Sequence, residues 1–235
     1  MMSSIPYPDF YEVAAEPYGF VFPTGQTAII MIDMQRDFIL PGGFGASLGN
    51  DVSRLATTVP VARQLLDWGR ARGMLVVHTK EAHAGDLSDC PLSKRKRGNP
   101  IVRIGDPSPM GRILIEGEEG SDFVDELAPL PSEVVIVKPG KGAFHATDLG
   151  DVLSKANITH LLFGGVTTEV CVQTTMREAN DRGFECLLIE DATDSYFPEF
   201  KQATINMIRA QGGIVGWTAP LSALLLAIPG YAHEN

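Results

Sequence analysis

The 235-residue sequence contains few cysteines and no long hydrophobic run. The three cysteines, Cys90, Cys171 and Cys186, are an odd number without paired spacing. This pattern argues against a disulfide framework and favours a reducing compartment. No apolar run reaches the roughly 18 residues that a membrane-spanning helix needs, and the first residues lack the charged and then apolar order of a signal peptide. We therefore expect a cytoplasmic protein without a membrane partner.

Basic residues are also scarce. Lys and Arg number 19 against 29 Asp and Glu, which gives a formal net charge of −10 at pH 7. Nucleic acids and anionic membranes recruit proteins through net positive charge, so the sequence predicts neither as a partner. The length fits one sizeable domain, because a domain usually takes about 100–200 residues and α/β domains extend to about 250.

Short apolar runs alternate along the chain with longer amphipathic segments. The runs beginning at residues 27, 74, 133, 160, 184 and 214 are predicted strands, and residues 61–73, 123–130, 148–157, 169–183 and 198–213 are predicted helices. Strands that are apolar throughout indicate a parallel sheet covered on both faces. The predicted fold is therefore an α/β protein, a three-layer α/β/α sandwich with a mainly parallel central sheet. It spans residues 27–235 and follows an irregular, proline-containing arm over residues 1–26.

Two long irregular segments, residues 38–50 and 81–120, are expected to lie over a functional site, as long loops often do in compact α/β domains. The second contains four consecutive basic residues, Lys94–Arg97. We favour a solvated basic turn for them, because charge runs are usually exposed, and a charged wall beside the pocket is the alternative.

Three reactive side chains follow predicted strands, at the edge where parallel sheets bind ligands. Asp33 follows the first buried run, Lys138 ends the run from residue 133, and Cys171 lies in the turn after the run from residue 160. Alone, each has an ordinary explanation: a helix cap, a surface lysine or an inert buried cysteine. Together they predict a site with a thiol nucleophile.

The position of Cys171 favours the thiolate. Thr168 is a plausible N-cap for the following helix, which places the thiol at the positive end of the helix dipole. A nearby lysine also favours the thiolate, and a carboxylate can accept the proton. Cys186 fits a strand in the core and Cys90 a loop.

Three motifs carry a resemblance to a known family: AIIMIDMQRDF, IVKPGKGAFHATDL and GGVTTEVCVQTTMREANDRGFECLLIEDAT. They occur in the right order, and the chain resembles the isochorismatase-like cysteine hydrolases from about residue 27 to residue 218. The resemblance implies a catalytic triad of Asp33, Lys138 and Cys171. It also implies a cis peptide bond between Val166 and Thr167, and an oxyanion hole formed by the backbone N–H groups of Thr167 and Cys171.

The resemblance implies hydrolysis without a metal or an organic cofactor. Some nicotinamidases of this family bind a metal through an Asp-x-His pair and a further histidine. His78 and His83 stand five residues apart, and the sequence contains no Asp-x-His. We therefore expect no metal site. The resemblance further implies a homo-oligomer, a dimer or a tetramer, with the N-terminal arm and residues 221–228 as candidate contacts, although the latter run would also fit the core.

Within the family, the motifs resemble most closely the hydrolases of small linear ureides, biuret and triuret. This branch implies that Gln211 contacts the substrate, although Gln211 could equally be an ordinary helix C-terminal residue. Phe38 and Lys141 are also predicted substrate contacts. The alternatives keep the triad and act on ureidoacrylate, N-carbamoylsarcosine or nicotinamide, and carboxylate binding by Lys141 or the basic segment would favour the acidic ones. A non-enzymatic interaction module is the remaining alternative, against which the intact triad argues.

Overall fold

The computed structural model describes residues 9–97 and 102–230. The strands are β1 (Phe10–Val13), β2 (Phe20–Pro23), β3 (Thr27–Ile32), β4 (Leu75–Glu81), β5 (Pro107–Ser108), β6 (Gly111–Arg112), β7 (Val134–Lys138), β8 (His160–Val166), β9 (Glu185–Asp194), β10 (Trp217–Ala219) and β11 (Ile228–Pro229). The α-helices are α1 (Arg36–Ile39), α2 (Phe44–Ser47), α3 (Ser53–Ala56), α4 (Val59–Ala71), α5 (Leu92–Arg95), α6 (Leu149–Lys155), α7 (Gln173–Asn180), α8 (Pro198–Gly213) and α9 (Leu221–Leu225).

The centre of the molecule is a six-stranded sheet with the strand order β10-β9-β8-β3-β4-β7. Each neighbouring pair in it is parallel. Every residue of β3 is buried, as a strand with helices on both sides requires. One core cluster joins the sheet to α4 and the other joins it to α6, α7 and α8. The predicted three-layer α/β/α sandwich with a parallel sheet is therefore confirmed.

The N-terminal segment differs from the irregular arm predicted over residues 1–26. From residue 10 onward it contains β1 and β2, which form an antiparallel sheet with β11. Tyr11, Val13, Phe20 and Phe22 alternate with less buried residues and join one of the two main core clusters. The alternation of apolar residues makes these segments strands, and their burial makes them part of the domain. Residues 1–8 lie outside the described residues.

The connection between β4 and β7 also differs from the prediction. The amphipathic segment at residues 123–130 forms only a single turn of 3-10 helix, Asp125–Leu127. Pro129 and Pro131 follow directly, and proline disfavours helical conformations of the residue before it. In the described part of the chain, no helix is both long enough and apolar enough to cross a membrane.

Candidate active site

The ends of four neighbouring strands assemble the candidate site. Asp33 follows β3 with a positive φ of 48°, and Glu81 and Lys138 end β4 and β7 as register partners. Cys171 lies in a π-helical turn, Thr168–Val172, that follows β8. All four side chains are buried. The structure thus brings together Asp33, Lys138 and Cys171 at the carboxyl edge of the sheet, where the sequence predicts them.

Lys138 and Asp33 form a buried ion pair. Lys138 Nζ lies 2.7 Å from Asp33 Oδ2 and donates a hydrogen bond to the carbonyl oxygen of Gly140 at 3.0 Å. Thr79 Oγ1 donates to Asp33 Oδ1 at 2.6 Å. Burial lowers the pKa of Lys138, but the negative charges around it, Asp33 first among them, outweigh burial and raise the pKa above its ordinary value. The lysine is therefore charged throughout the neutral pH range.

Glu81 is a second carboxylate beside the thiol, and the sequence reasoning missed it. Cys171 Sγ donates to Glu81 Oε2 over 3.7 Å. Lys141 Nζ lies 2.8 and 3.0 Å from the two Glu81 oxygens, and Lys94 Nζ lies 2.8 Å from Oε1. Burial raises the pKa of Glu81, but Lys141, Lys138 and Lys94 together lower it to about 2. Glu81 is thus a permanent anion that holds two further lysines at the site.

The position of Glu81 is fixed by a buried glutamine. Gln35 Oε1 accepts a hydrogen bond from the Glu81 backbone N–H at 2.7 Å. Gln35 Nε2 donates to the backbone carbonyl oxygens of Glu81 and Ser121 at 3.0 and 2.9 Å. Because the backbone N–H and carbonyl groups of Glu81 are both hydrogen-bonded to Gln35, the backbone position from which the Glu81 side chain extends is fixed.

The environment of Cys171 favours the thiol in the resting protein. Burial is the largest influence and raises the pKa of Cys171 well above its ordinary value; Asp33 and Glu81 also raise it, while Lys138 and Lys141 lower it. The thiolate expected from the helix N-terminus is therefore not the resting form, because burial outweighs the cations. Thr168 does not act as an N-cap, since its hydroxyl pairs with that of Thr193 at 2.7 Å.

The turn before the cysteine contains a non-proline cis peptide bond between Val166 and Thr167, as the resemblance implies. Thr167 and Cys171 both line a cavity of about 230 Å³. This cavity is smaller than the roughly 300–1,000 Å³ typical of sites for drug-sized ligands. The site is therefore sized for a small substrate.

The walls of this cavity, called here the thiol cavity, are mostly apolar. They include Phe38, Phe44, Leu48, Val170, Tyr196 and Phe197. Lys141 and Glu81 also line it, whereas Asp33 and Lys138 are fully buried behind it. Two of the three predicted substrate contacts, Phe38 and Lys141, thus share a cavity with Cys171.

The third predicted contact, Gln211, lies elsewhere. It is exposed, and it lines a different cavity together with Arg177 and Met207. It stands near the end of α8, where the chain turns back to enter β10. That end of the sheet is opposite to the edge that carries Cys171, so within one chain the structure does not bring Gln211 to the thiol cavity.

The basic segment Lys94–Arg97 is in part a solvated turn and in part a charged wall beside the site. Lys96 and Arg97 are exposed, as expected of a solvated turn. Lys94, however, is only 18% exposed at its side chain and reaches Glu81. It also approaches His83 Nε2 at 2.8 Å and donates to the carbonyl of Pro139. The preference for a wholly solvated turn is therefore wrong for Lys94.

Asp33, Glu81 and Cys171 are close enough to be considered as metal ligands, since one donor atom of each lies within 4.8 Å of the others. Lysine ammonium groups already stand at 2.7 Å from Asp33 Oδ2 and at 2.8 Å from Glu81 Oε1. A divalent cation placed there would meet fixed like charges at short range, which is strongly unfavourable in a buried site. The donor set therefore fits lysine countercharges better than a metal ion.

Comparison with known proteins matches residues 27–219 to the family model of the Isochorismatase domain. The ureidoacrylate amidohydrolase RutB of Pantoea ananatis (strain LMG 20103) is 32% identical to this chain over 228 residues. The match covers 95% of this chain and 90% of that protein.

Two solved structures have similar folds. An isochorismatase family protein from Desulfovibrio vulgaris matches with a TM-score of 0.70 and 29% identity, covering 85% of this chain and 96% of the other. A cysteine hydrolase from Pseudomonas syringae pv. phaseolicola matches with a TM-score of 0.73 and 22% identity, covering 87% and 93% of the two chains. At that identity, the second likeness concerns the fold alone.

Proposed function

The chain belongs to the isochorismatase family and is a hydrolase of C–N bonds outside peptides, and we propose that its substrate is a small, neutral, linear ureide such as biuret or triuret. One observation carries the choice of a neutral substrate. The lysines nearest the thiol are each paired with a carboxylate, Lys138 with Asp33 and both Lys94 and Lys141 with Glu81. A substrate carboxylate would compete with Asp33 or Glu81 for these ammonium groups, whereas a neutral planar ureide would leave the pairs intact.

The proposed reaction starts with transfer of the Cys171 proton to Asp33. Glu81 is a weak base, because neighbouring lysines lower its pKa to about 2. The thiolate then attacks a ureide carbonyl, and the backbone N–H groups of Thr167 and Cys171 stabilise the oxyanion. Lys138 keeps its positive charge beside the reacting groups and compensates the negative charge of the intermediate.

Collapse of the tetrahedral intermediate breaks the C–N bond. Asp33 returns its proton to the departing nitrogen, so that ammonia or a urea-type product leaves and an acyl-thioenzyme remains. Asp33 next takes a proton from a water molecule whose oxygen attacks the thioester. The acid is released, and the proton on Asp33 restores the Cys171 thiol.

A ureido acid such as ureidoacrylate is the second candidate. Two observations favour it: the 32% identity to a ureidoacrylate amidohydrolase, and the partial exposure of Lys141, whose side chain is 45% accessible. Lys141 and Phe44 also line a neighbouring cavity of about 750 Å³ that contains Lys94, Arg97 and Arg103. A carboxylate in that cavity would meet several cations.

Ammonia release from biuret, triuret, ureidoacrylate, N-carbamoylsarcosine and nicotinamide tests the proposal. We expect the highest kcat/KM for biuret or triuret. Cys171→Ala should abolish turnover, because it removes the sulfur that attacks the carbonyl carbon. Cys186→Ala is the matched control, since Cys186 is buried in the core strand β9, away from the thiol cavity. A clear preference for ureidoacrylate would replace the proposal by the second candidate, and full activity of Cys171→Ala would overturn the mechanism.

A further inference from the structure

Glu169 is a carboxylate in the thiol cavity to which the proposed mechanism gives no role. It lies two residues before Cys171, within the π-helical turn Thr168–Val172. It lines the same cavity as Cys171 and Lys141. Its Oε2 atom is buried, and among the described residues it has no hydrogen-bond partner. A residue of the cavity wall therefore has one carboxylate oxygen to which the described residues supply no donor.

The surroundings of Glu169 differ from those of Glu81. Three lysines neutralise Glu81, whereas no ion pair joins Glu169 to a cation within the described part of the chain. Burial raises the pKa of Glu169. Hydrogen bonds that involve its own backbone N–H, Ser195 and Thr167 oppose part of that rise, and the negative charge of Asp194 adds to it. Glu169 is thus a carboxylate without a paired cation among the described residues, in a cavity wall that is otherwise mainly apolar.

The chemistry of an unsatisfied buried acceptor selects its ligand. A buried acceptor without a donor is unfavourable, so a ligand that supplies an N–H group there gains a hydrogen bond and removes the penalty. A terminal NH2 group of a ureide is such a donor. A carboxylate placed at the same point has no proton to donate and is repelled by the negative charge of Glu169.

We propose that Glu169 is a specificity-determining residue that accepts a hydrogen bond from an NH2 group of the ureide and disfavours substrates with a carboxylate at that position. The inference rests on the proposed function in requiring a ureido substrate at Cys171. Beyond the proposed function, the inference names Glu169 as the side chain that distinguishes a neutral ureide from a ureido acid.

The test compares kcat/KM for biuret with kcat/KM for ureidoacrylate in the wild type and in two variants. Where one compound is not turned over, its competitive inhibition constant against the other replaces its KM. Glu169→Met keeps the length of the side chain and removes the acceptor. Glu169→Gln keeps an acceptor oxygen and removes the negative charge. Glu126→Gln is the control, because it removes one charge from an exposed residue outside the cavity.

We expect Glu169→Met to lower the ratio of the two kcat/KM values by about tenfold or more, mainly through a higher KM for biuret. Glu169→Gln should lower the ratio by a smaller factor than Glu169→Met, because it removes only the charge and keeps an acceptor oxygen. Glu126→Gln should leave the ratio unchanged. A structural role for Glu169 would instead lower both kcat/KM values in parallel. Midpoints of thermal unfolding identify any variant that does not fold, and the other variant then carries the comparison.

The outcomes separate this inference from the proposed function. A ratio that falls in the Glu169 variants supports the inference, even if the wild type prefers ureidoacrylate and the choice of a neutral substrate fails. An unchanged ratio overturns the inference, even if the wild type prefers biuret. Failure of the wild type to bind or hydrolyse either compound overturns both.

Discussion

Glu81 is the residue whose charge affects the largest number of groups at the site. It faces the thiol through Oε2 and holds Lys141 and Lys94 through its two oxygens. Its negative charge also raises the pKa of Cys171. The same carboxylate therefore adds to the effect of burial in keeping the resting thiol protonated, and it keeps the cations at the cavity wall.

Substitution of Glu81 by glutamine tests both effects. We expect Glu81→Gln to lower the pKa of Cys171, because one negative charge near the sulfur is removed while Lys138 and Lys141 remain. The pH dependence of Cys171 alkylation by iodoacetamide measures that pKa. We also expect kcat/KM to fall by about tenfold or more, because Lys141 and Lys94 lose their shared partner. Glu126→Gln is the control, and a pKa that stays constant or rises in Glu81→Gln contradicts this account.

The sequence could indicate Asp33, Lys138 and Cys171 because each follows an apolar run, and the ends of parallel strands meet at one edge. Glu81 obeys the same rule as the last residue of β4. The sequence does not indicate it, because the apolar part of that strand ends earlier and Glu81 is the first residue of the predicted loop. The pKa of Cys171 could not be predicted, since it depends on burial and on charges from three other strands.

At the scale of elements, the close approach of β8 to β3 depends on a glycine just before the nucleophile turn. Gly165 has a φ of +112°, and a Cβ atom there would lie 2.0 Å from the carbonyl oxygen of Ile32. That oxygen belongs to the neighbouring backbone, which cannot move without disturbing the central sheet. Any side chain at this position would separate the two strands that carry Asp33 and Cys171.

We therefore expect Gly165→Ala to lower the free energy of unfolding by at least about 3 kcal/mol, or to prevent folding. Gly183→Ala is a matched control. Gly183 has a φ of +85°, yet a Cβ atom there would meet nothing within 4 Å. That substitution should cost only about 1 kcal/mol, from the backbone conformation alone. Urea unfolding of both variants measures the difference, and equal losses would show that the contact with Ile32 is unimportant.

The elements that the sequence predicts well are those with continuous apolar runs or long amphipathic periods. β3 and β8 are buried along almost their whole length, and α4 and α8 are long enough to show a helical period. β1 and β2 have four residues each, which is too short a segment for alternation to be distinguished from chance. Their pairing with β11, far along the chain, adds information that no local pattern contains.

At the scale of the whole molecule, groups in separate regions act together on stability in acid. Burial lowers the pKa of His160 to about 4 from 6.5. Burial raises the pKa of Glu133, but hydrogen bonds, that from Arg70 first among them, outweigh it and lower the pKa to about 2 from 4.5. Glu81 is likewise at about 2. In all three cases the unfolded chain binds protons at a higher pH than the folded chain does.

The free energy of unfolding should therefore fall in two stages as the pH decreases. His160 contributes a loss of unfolding free energy between about pH 6.5 and 4, because its imidazole binds a proton at a higher pH in the unfolded chain than in the folded chain. The two glutamates contribute a loss between about pH 4.5 and 2. Asp37 and Glu169 act in the opposite direction, since burial raises their pKa values. Urea unfolding at intervals from pH 7 to pH 3 measures the net slope.

His160→Gln isolates the contribution of His160 to the first stage, to which His78 and His83 add because burial lowers their pKa values as well. The substitution removes the only titrating group of that side chain, while the amide can still accept a hydrogen bond from Thr159, whose Oγ1 lies 2.8 Å from His160 Nδ1. We expect the variant to lose less unfolding free energy than the wild type between pH 6.5 and 4, and to match its slope below pH 4. Parallel curves above pH 4 would mean that the folded chain binds the His160 proton as readily as the unfolded chain does. We expect the curves to differ because the His160 ring is partly buried against the ring of Phe20, with 5.8 Å between the two ring centroids. An apolar ring stabilises the imidazolium less than water does.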